Sequence, residues 1–184
     1  RTHDLTQGEQ HSAEFRRLSP LGAVPALEGA TLKPLTQSLA ILEWLEDTYP
    51  SPALLPTDPA GRAQVRALFL LTAADTHPLV VPRVRAQLAQ RFAATEAATV
   101  DWAAHWFREG LAAYEGHLEH GATRCHGETL SLADLALASH LIGAARFDVA
   151  LDDFPRVAQV GEALLALPEF AAAHPNLQMD APKA

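Results

Sequence analysis

Apolar positions divide this chain into a short mixed beginning and a long helical remainder. Val24-Pro25-Ala26-Leu27 reads as a brief strand, Glu28-Gly29-Ala30 as a turn, and residues 31–35 as an antiparallel return. Pro34 sets that return at a sheet edge or a strand end, since it has no N–H to give a ladder. Beyond it Leu39, Ile41, Leu42 and Leu45 recur at helical spacing, with Glu43, Glu46 and Asp47 on the opposite side. Upstream, residues 1–5 suit a short strand and 8–18 one or two helical turns. Ser19-Pro20-Leu21-Gly22 then turns the chain into the Val24 strand.

The proline-rich run Tyr49-Pro50-Ser51-Pro52-Ala53-Leu54-Leu55-Pro56 reads as a semi-rigid linker. Asp58-Pro59 is a helix start, a cap followed by proline at the first helical position. Val65, Leu68, Phe69 and Thr72 line one face of the helix it opens, which Pro78 and Pro82 should kink or break. Val100, Trp106, Leu111, Tyr114 and Leu118 mark a long helix ending at Gly121. Leu130-Ser131-Leu132-Ala133-Asp134-Leu135 has the form of a capping box, with Asp134 reaching back to Ser131 and the two flanking leucines as a staple. The helix it opens is apolar nearly all round, so it should be the buried central one. Phe154-Pro155 opens another helix, Pro168 a last short one, and residues 171–184 form a tail. The pattern is an α+β chain: residues 1–50 with the strands, a linker over 51–57, and an all-helical domain over 58–184.

Composition narrows what such a chain does. A net charge of −8 without a basic cluster argues against nucleic acid as a partner. No apolar run nears the ~20 residues of a membrane span, and one cysteine cannot form an internal disulfide, which suits a reducing compartment. Nine histidines include no His-Glu-x-x-His pattern, so no metal is expected. Cys125, beside His126, is read as a packed thiol.

Gln37 and Ser38 stand where strand gives way to helix, the place of free N–H groups and the positive end of the dipole. Such a terminus can receive a carboxylate or phosphate, and the two side chains add donors. On spacing alone Ser38 would cap its own helix. Arg83, past the His77-Pro78 break, and Arg146, at the end of the apolar helix, could each bind a final turn of carbonyls or offer a fork to a substrate carboxylate.

Val24-Pro25-Ala26-Leu27 with Gln37-Ser38-Leu39-Ala40-Ile41-Leu42-Glu43-Trp44-Leu45 resembles the glutathione site of the soluble glutathione transferases. The Gln-Ser pair, His11-Ser12-Ala13-Glu14-Phe15, Asp75-Thr76-His77-Pro78-Leu79, Arg83-Val84 and Arg146-Phe147 resemble the zeta class, which includes maleylacetoacetate isomerase. The resemblance implies a thioredoxin-like first domain holding glutathione, an all-helical second domain supplying the substrate pocket, and a cytoplasmic homodimer. It implies that Val24, before a cis Pro25, pairs with the peptide backbone of glutathione. Gln37 and Ser38 would hold its γ-glutamyl carboxylate, Gln10 and His77 would line the site, and Arg146, with Arg83, would hold the carboxylates of a small acidic substrate.

The implied reaction is glutathione-dependent cis–trans isomerisation of maleylacetoacetate, or maleylpyruvate, within tyrosine and phenylalanine catabolism, with transferase activity beside it. Thiol addition to the cis double bond, rotation and elimination would give the fumaryl product. The chain departs from the class at Leu79-Val80-Val81-Pro82, where a usually polar side chain is replaced by Val81, which bears on substrate preference. Residues 1–47 also read as an unfinished domain: the family's first strand and helix, with the Ser-Ser-Cys motif that activates the thiol, are expected ahead of Arg1. A non-catalytic transferase-like interaction module is the alternative reading.

Overall fold

The computed structural model describes residues 2–5, 7–29, 31–179 and 181. The chain forms two compact units, one of residues up to Pro52 together with those after Leu177, the other Ala53–Leu177.

In the first unit a 3-10 turn, Glu9–His11, leads into α1, Ala13–Leu18. Ser12 caps that helix, accepting the Phe15 N–H at 3.2 Å. Strands β1, Ala26–Leu27, and β2, Leu35–Thr36, pair antiparallel with Ala26 opposite Thr36 and Leu27 opposite Leu35. The hairpin is thus shorter than its sequence pattern suggests. Val24 and Pro25 precede β1, and residues 31–33 bend rather than pair; the Thr31 hydroxyl donates to the Lys33 carbonyl instead. Pro34 stands just before β2, outside the ladder. Residues 2–5, expected as part of a strand, form none, and no strand among the described residues pairs with them; Arg1 lies outside the described residues.

Helix α2, Ser38–Thr48, follows β2 directly. Its buried face carries Ile41 and Glu46, while Leu45 is exposed, so the helix is turned from the orientation its leucines suggest. Phe15 and Ile41 are the buried apolar side chains among the described residues of this unit.

The second unit is helical. Leu54 and Leu55, within the expected 51–57 linker, belong to it: Leu55 is buried, and the Leu54 carbonyl accepts the Leu132 N–H at 2.9 Å. Helix α3, Pro59–Leu70, is capped by Asp58, which accepts the Gly61 N–H at 2.8 Å. Gly61 is required there, since a Cβ would lie 2.8 Å from the Asp58 carboxylate and 2.9 Å from Pro56. Val65, Leu68, Phe69 and Thr72 are all buried, as their spacing indicates.

At Leu71 the helix widens into a π-helical turn, Leu71–Thr76, that delivers the short α4, His77–Val80. The widening turn is pinned by hydroxyls. Tyr114 donates to the Leu68 carbonyl at 2.8 Å, its oxygen lies 3.0 Å from the Thr72 hydroxyl, and Thr76 donates to the Leu71 carbonyl at 3.0 Å. Pro78 sits at the start of α4, where its missing N–H costs nothing, and Pro82 opens α5, Pro82–Phe92, after an extended Val81.

Helix α6, Glu96–His117, is capped by Thr95 and ends earlier than Gly121, because Leu118 turns extended and is buried. Helix α7, Leu132–Ala145, is the buried centre, as its apolar run indicates. Ser131 and Asp134 close the capping box: Asp134 Oδ2 accepts the Ser131 N–H at 2.8 Å and its hydroxyl at 2.9 Å. Asp134 Oδ1 also accepts the Cys125 N–H at 2.7 Å, tying the preceding loop to the helix start. Helix α8, Pro155–Leu165, takes its cap from α6, where the Glu115 carboxylate accepts the Arg156 and Val157 N–H groups, each at 2.9 Å. Helix α9, Pro168–Ala173, and a 3-10 turn, Pro175–Leu177, complete the unit.

Glycines let these helices approach. A Cβ at Gly110 would fall 2.6 Å from the His140 ring, and one at Gly143 2.7 Å from the Phe107 ring. No helix among the described residues is long and apolar enough to cross a membrane.

Candidate functional site

Four of the expected residues flank the Ala26–Thr36 pair at one end of the hairpin. Ala26 pairs with Thr36; Val24 and Pro25 come just ahead of Ala26, and Gln37 and Ser38 just after Thr36. The Val24–Pro25 peptide is cis. Val24 is 48% exposed, and its backbone N–H and C=O have no partner among the described residues. An extended peptide laid along this edge would find one donor and one acceptor.

Gln37 is the N-cap of α2, with φ 73° and ψ 120°. That is a left-handed conformation a side-chain-bearing residue adopts only under constraint, at a cost of about 1–3 kcal/mol. Its side chain makes no capping bond, and its carbonyl accepts the Ile41 N–H at 3.0 Å. Ser38 is the first helical residue and not the cap. Its hydroxyl bonds to nothing among the described residues. Self-capping by Ser38, which spacing alone favours, is therefore not what the structure has. An exposed hydroxyl, an exposed amide and the first N–H groups of an eleven-residue helix lie together instead.

Gln10 belongs to the same unit. Its amide nitrogen lies 3.5 Å from the Leu5 carbonyl and 3.3 Å from His11 Nε2, and its amide oxygen is buried without a partner among the described residues.

His77, Arg83 and Arg146 lie in the helical unit. His77 opens α4 directly after the π-helical turn, and its imidazole titrates below the ordinary value, first from desolvation and then from the positive charge of Arg83. Neither Arg83 nor Arg146 has a side-chain hydrogen bond or ion pair among the described residues. Arg146 follows the last turn of α7 and does not bind its carbonyls with its side chain. It lines a cavity of about 550 Å³ whose walls are mostly apolar, including Leu141, Val149, Ala158 and Leu165, with Glu162 and His174 beside them. Cys125 stays out of the chemistry: burial first, then the adjacent Asp134 carboxylate, push its thiol far up, so it is no nucleophile at neutral pH.

Comparison with known proteins gives the family. Residues 1–48 match the family model for the glutathione S-transferase N-terminal domain. The maleylacetoacetate isomerase of Pseudomonas aeruginosa is 41% identical over 177 residues, which is 96% of this chain and 82% of that protein. The crystal structure of a maleylacetoacetate isomerase from Methylobacterium extorquens AM1, with bound malonate and glutathione, superposes with a TM-score of 0.94 at 40% identity, over 100% of this chain and 87% of that one. The holo structure of a maleylpyruvate isomerase, a bacterial glutathione transferase of the zeta class, superposes with a TM-score of 0.92 at 38% identity, over 97% of this chain and 85% of that one. The chain belongs to the zeta-class glutathione transferases.

Within that family this member has one feature that sequence reasoning missed. Arg85, in α5, lies with its guanidinium carbon 5.1 Å from the centroid of the Phe147 ring, and its Nε donates to the Val80 carbonyl at 3.2 Å. Phe147 is the residue after Arg146. Nothing local in the sequence joins Arg85 to that position; the pairing exists only once α5 packs against the end of α7.

Proposed function

We propose that this zeta-class transferase is a glutathione-dependent cis–trans isomerase of a maleyl diacid, maleylacetoacetate or maleylpyruvate. When bound, glutathione supplies a thiol for reversible addition to the cis double bond, which opens a path to the trans product. The chain's own residues do the holding. The backbone of Val24 meets the peptide part of glutathione, Gln37 and Ser38 at the start of α2 take its γ-glutamyl carboxylate, and Gln10 and His77 border it. Arg146 and Arg83 hold substrate carboxylates and stabilise negative charge that develops as the double bond is attacked. The observation that carries the reading is the Ser38 hydroxyl at the first turn of α2, without a partner among the described residues, as is the Val24 backbone just ahead of β1.

On this reading residues 1–50 bind glutathione and residues 58–184 bind the acid. The protein works as a cytoplasmic homodimer in the catabolism of aromatic amino acids. Support comes from relatives named for both isomerisations and from the glutathione bound in a related structure. The test is an assay of the protein with glutathione and each maleyl diacid, following the fumaryl product by proton NMR. Glutathione-dependent turnover of either acid is expected. Tight glutathione binding with no turnover of either would leave the non-catalytic module as the better account.

A further inference from the structure

We propose that Phe147 is a positioning residue for the diacid: held on Phe107, it fixes the last turn of α7 and with it Arg146. This rests on the isomerase reading, in which Arg146 binds a substrate carboxylate, and deepens it. An arginine at a helix end has two sources of freedom, the torsions of its own side chain and the fraying of the turn that carries it. Arg146 is exposed and comes directly after the last residue of α7, so both apply to it. A guanidinium on a frayed turn would have to be ordered each time it bound an anion, and that entropy weakens binding.

The packing of α7 on α6 restrains that turn. His140, Gly143 and Phe147 are spaced i, i+3 and i+7, one face of the helix and its exit, and all three meet Phe107, a buried residue of α6. His140 Nε2 bonds to the Phe107 carbonyl at 2.9 Å. The Phe107 ring lies 2.7 Å from where a Cβ of Gly143 would stand. The Phe147 ring stacks on it, centroids 5.5 Å apart and planes at 29°, and Arg85 of α5 adds its guanidinium 5.1 Å from the Phe147 centroid. None of these three α7 positions lines the cavity. From the same helix end its walls are Leu141, Ala144, Ala145, Arg146 and Val149. The last turn thus has a back held on α6 and a front that presents Arg146. The backbone joins the two, since the Arg146 N–H donates to the Gly143 carbonyl at 3.1 Å and the Phe147 N–H to the Ala144 carbonyl at 3.0 Å. Arg146 is therefore bracketed by two residues that touch Phe107, and the chain then turns away at Asp148, φ 53°. Phe147 itself is half-buried, at the rim of the core and not within it. Its ring matters for where it holds the chain.

The test is a double-mutant cycle at saturating glutathione: wild type, Phe147→Leu, Arg146→Ala and both together, with Phe147→Tyr as the variant that keeps the ring. Phe147→Leu should raise the KM for the diacid roughly tenfold, since a small misplacement of a binding group has effects of that order or larger. Its KM for glutathione should stay within about twofold of wild type, and Phe147→Tyr should match wild type on both. In the Arg146→Ala background, Phe147→Leu should change the diacid KM by less than about twofold, because the group it positions is gone. A packing role alone gives the same loss in both backgrounds. That result, or a diacid KM unchanged in Phe147→Leu, would overturn the proposal. Malonate, a dicarboxylate bound in a related structure, separates this from failure of the isomerase reading. If wild type turns over neither maleyl acid, the same cycle is read from malonate binding by calorimetry. Binding that Phe147→Leu weakens only while Arg146 is present keeps the positioning role and ends the isomerase reading. Malonate binding that ignores Phe147, or no malonate binding at all, overturns the positioning role as well.

Discussion

At Gln37 the backbone is held at φ 73°, and the next residue has a hydroxyl with no partner among the described residues. Strain at one position and an idle donor at the next are what a ligand-holding corner requires, because neither contributes to stability without the ligand. Ser38→Ala should therefore weaken glutathione binding by roughly tenfold, the equivalent of one hydrogen bond to a charged group. The Tm in the absence of glutathione should not move. Calorimetry and a thermal melt on one preparation check both, and a lower Tm with unchanged affinity would make Ser38 a helix-stabilising residue after all. Arg146→Ala addresses the other ligand. Since its guanidinium has no partner among the described residues, its loss should cost about 1.5–3 kcal/mol in kcat/KM for the diacid and leave the glutathione affinity intact. A collapse in glutathione binding instead would assign the arginine to structure. The sequence singled out both residues as candidates, Ser38 by its place after a strand and Arg146 by its place after an apolar run, but their proposed ligand roles came from the family resemblance and not from spacing. It concealed the strain at Gln37 and the packing of Arg85 on Phe147, since each depends on what packs nearby and not on what is next in the chain.

Among the helices, beginnings were more legible than interiors. Asp58-Pro59 and the Ser131-Asp134 box are local chemistry, satisfied within one turn, so a short stretch of sequence contains all the causes. Ser131→Ala should lower stability by about 0.5–2 kcal/mol without altering the site; a denaturant midpoint equal to wild type would show that the Asp134 carboxylate alone suffices. The π-helical turn Leu71–Thr76 has no such local cause. It depends on Tyr114 reaching from α6 to the Leu68 carbonyl and on the pocket around His140, which Gly110 opens. His140 is buried, and its Nε2 hydrogen is donated to the Phe107 carbonyl at 2.9 Å.

Burial holds the His140 imidazole below its ordinary value of 6.5, outweighing the bond to Phe107, which favours the charged form, and His77 adds to the lowering. The unfolded chain then binds protons at a higher pH than the folded one. Stability from a neutral His140 is full above about 6.5 and declines as pH falls below it toward the folded value. Urea midpoints should therefore drop between about pH 7.5 and pH 5.5, and less steeply in His140→Gln. An identical drop in the variant would place the pH dependence on other groups.

Over the whole chain, a strand-containing beginning and a helical remainder follow from the change of hydrophobic period; the structure's units are residues up to Pro52 with those after Leu177, and Ala53–Leu177. The point of division was harder to read. Prolines mark 50–56 as connecting chain, yet the helical unit begins at Ala53, because Leu55 is buried and the Leu54 carbonyl takes an N–H that α7 would otherwise leave unbonded. The apolar core is distributed just as unevenly. Among the described residues, the buried apolar side chains before Pro52 are Phe15 and Ile41; the rest, from Leu55 through Leu164, are in the helical unit. Burial of such side chains at roughly 1.5–3 kcal/mol each is the main force holding either unit. The first unit should therefore open locally at a lower free energy than the second. Limited proteolysis should cut first between residues 2 and 52, and the surviving fragment should begin near Ala53 and extend to about Leu177. Saturating glutathione should slow that first cut, since a ligand bound at Val24, Gln37 and Ser38 stabilises the unit that carries them. First cuts within α6 or α7 would show that the core is not where stability resides. A first cut before Ala53 that glutathione fails to slow would place its binding elsewhere.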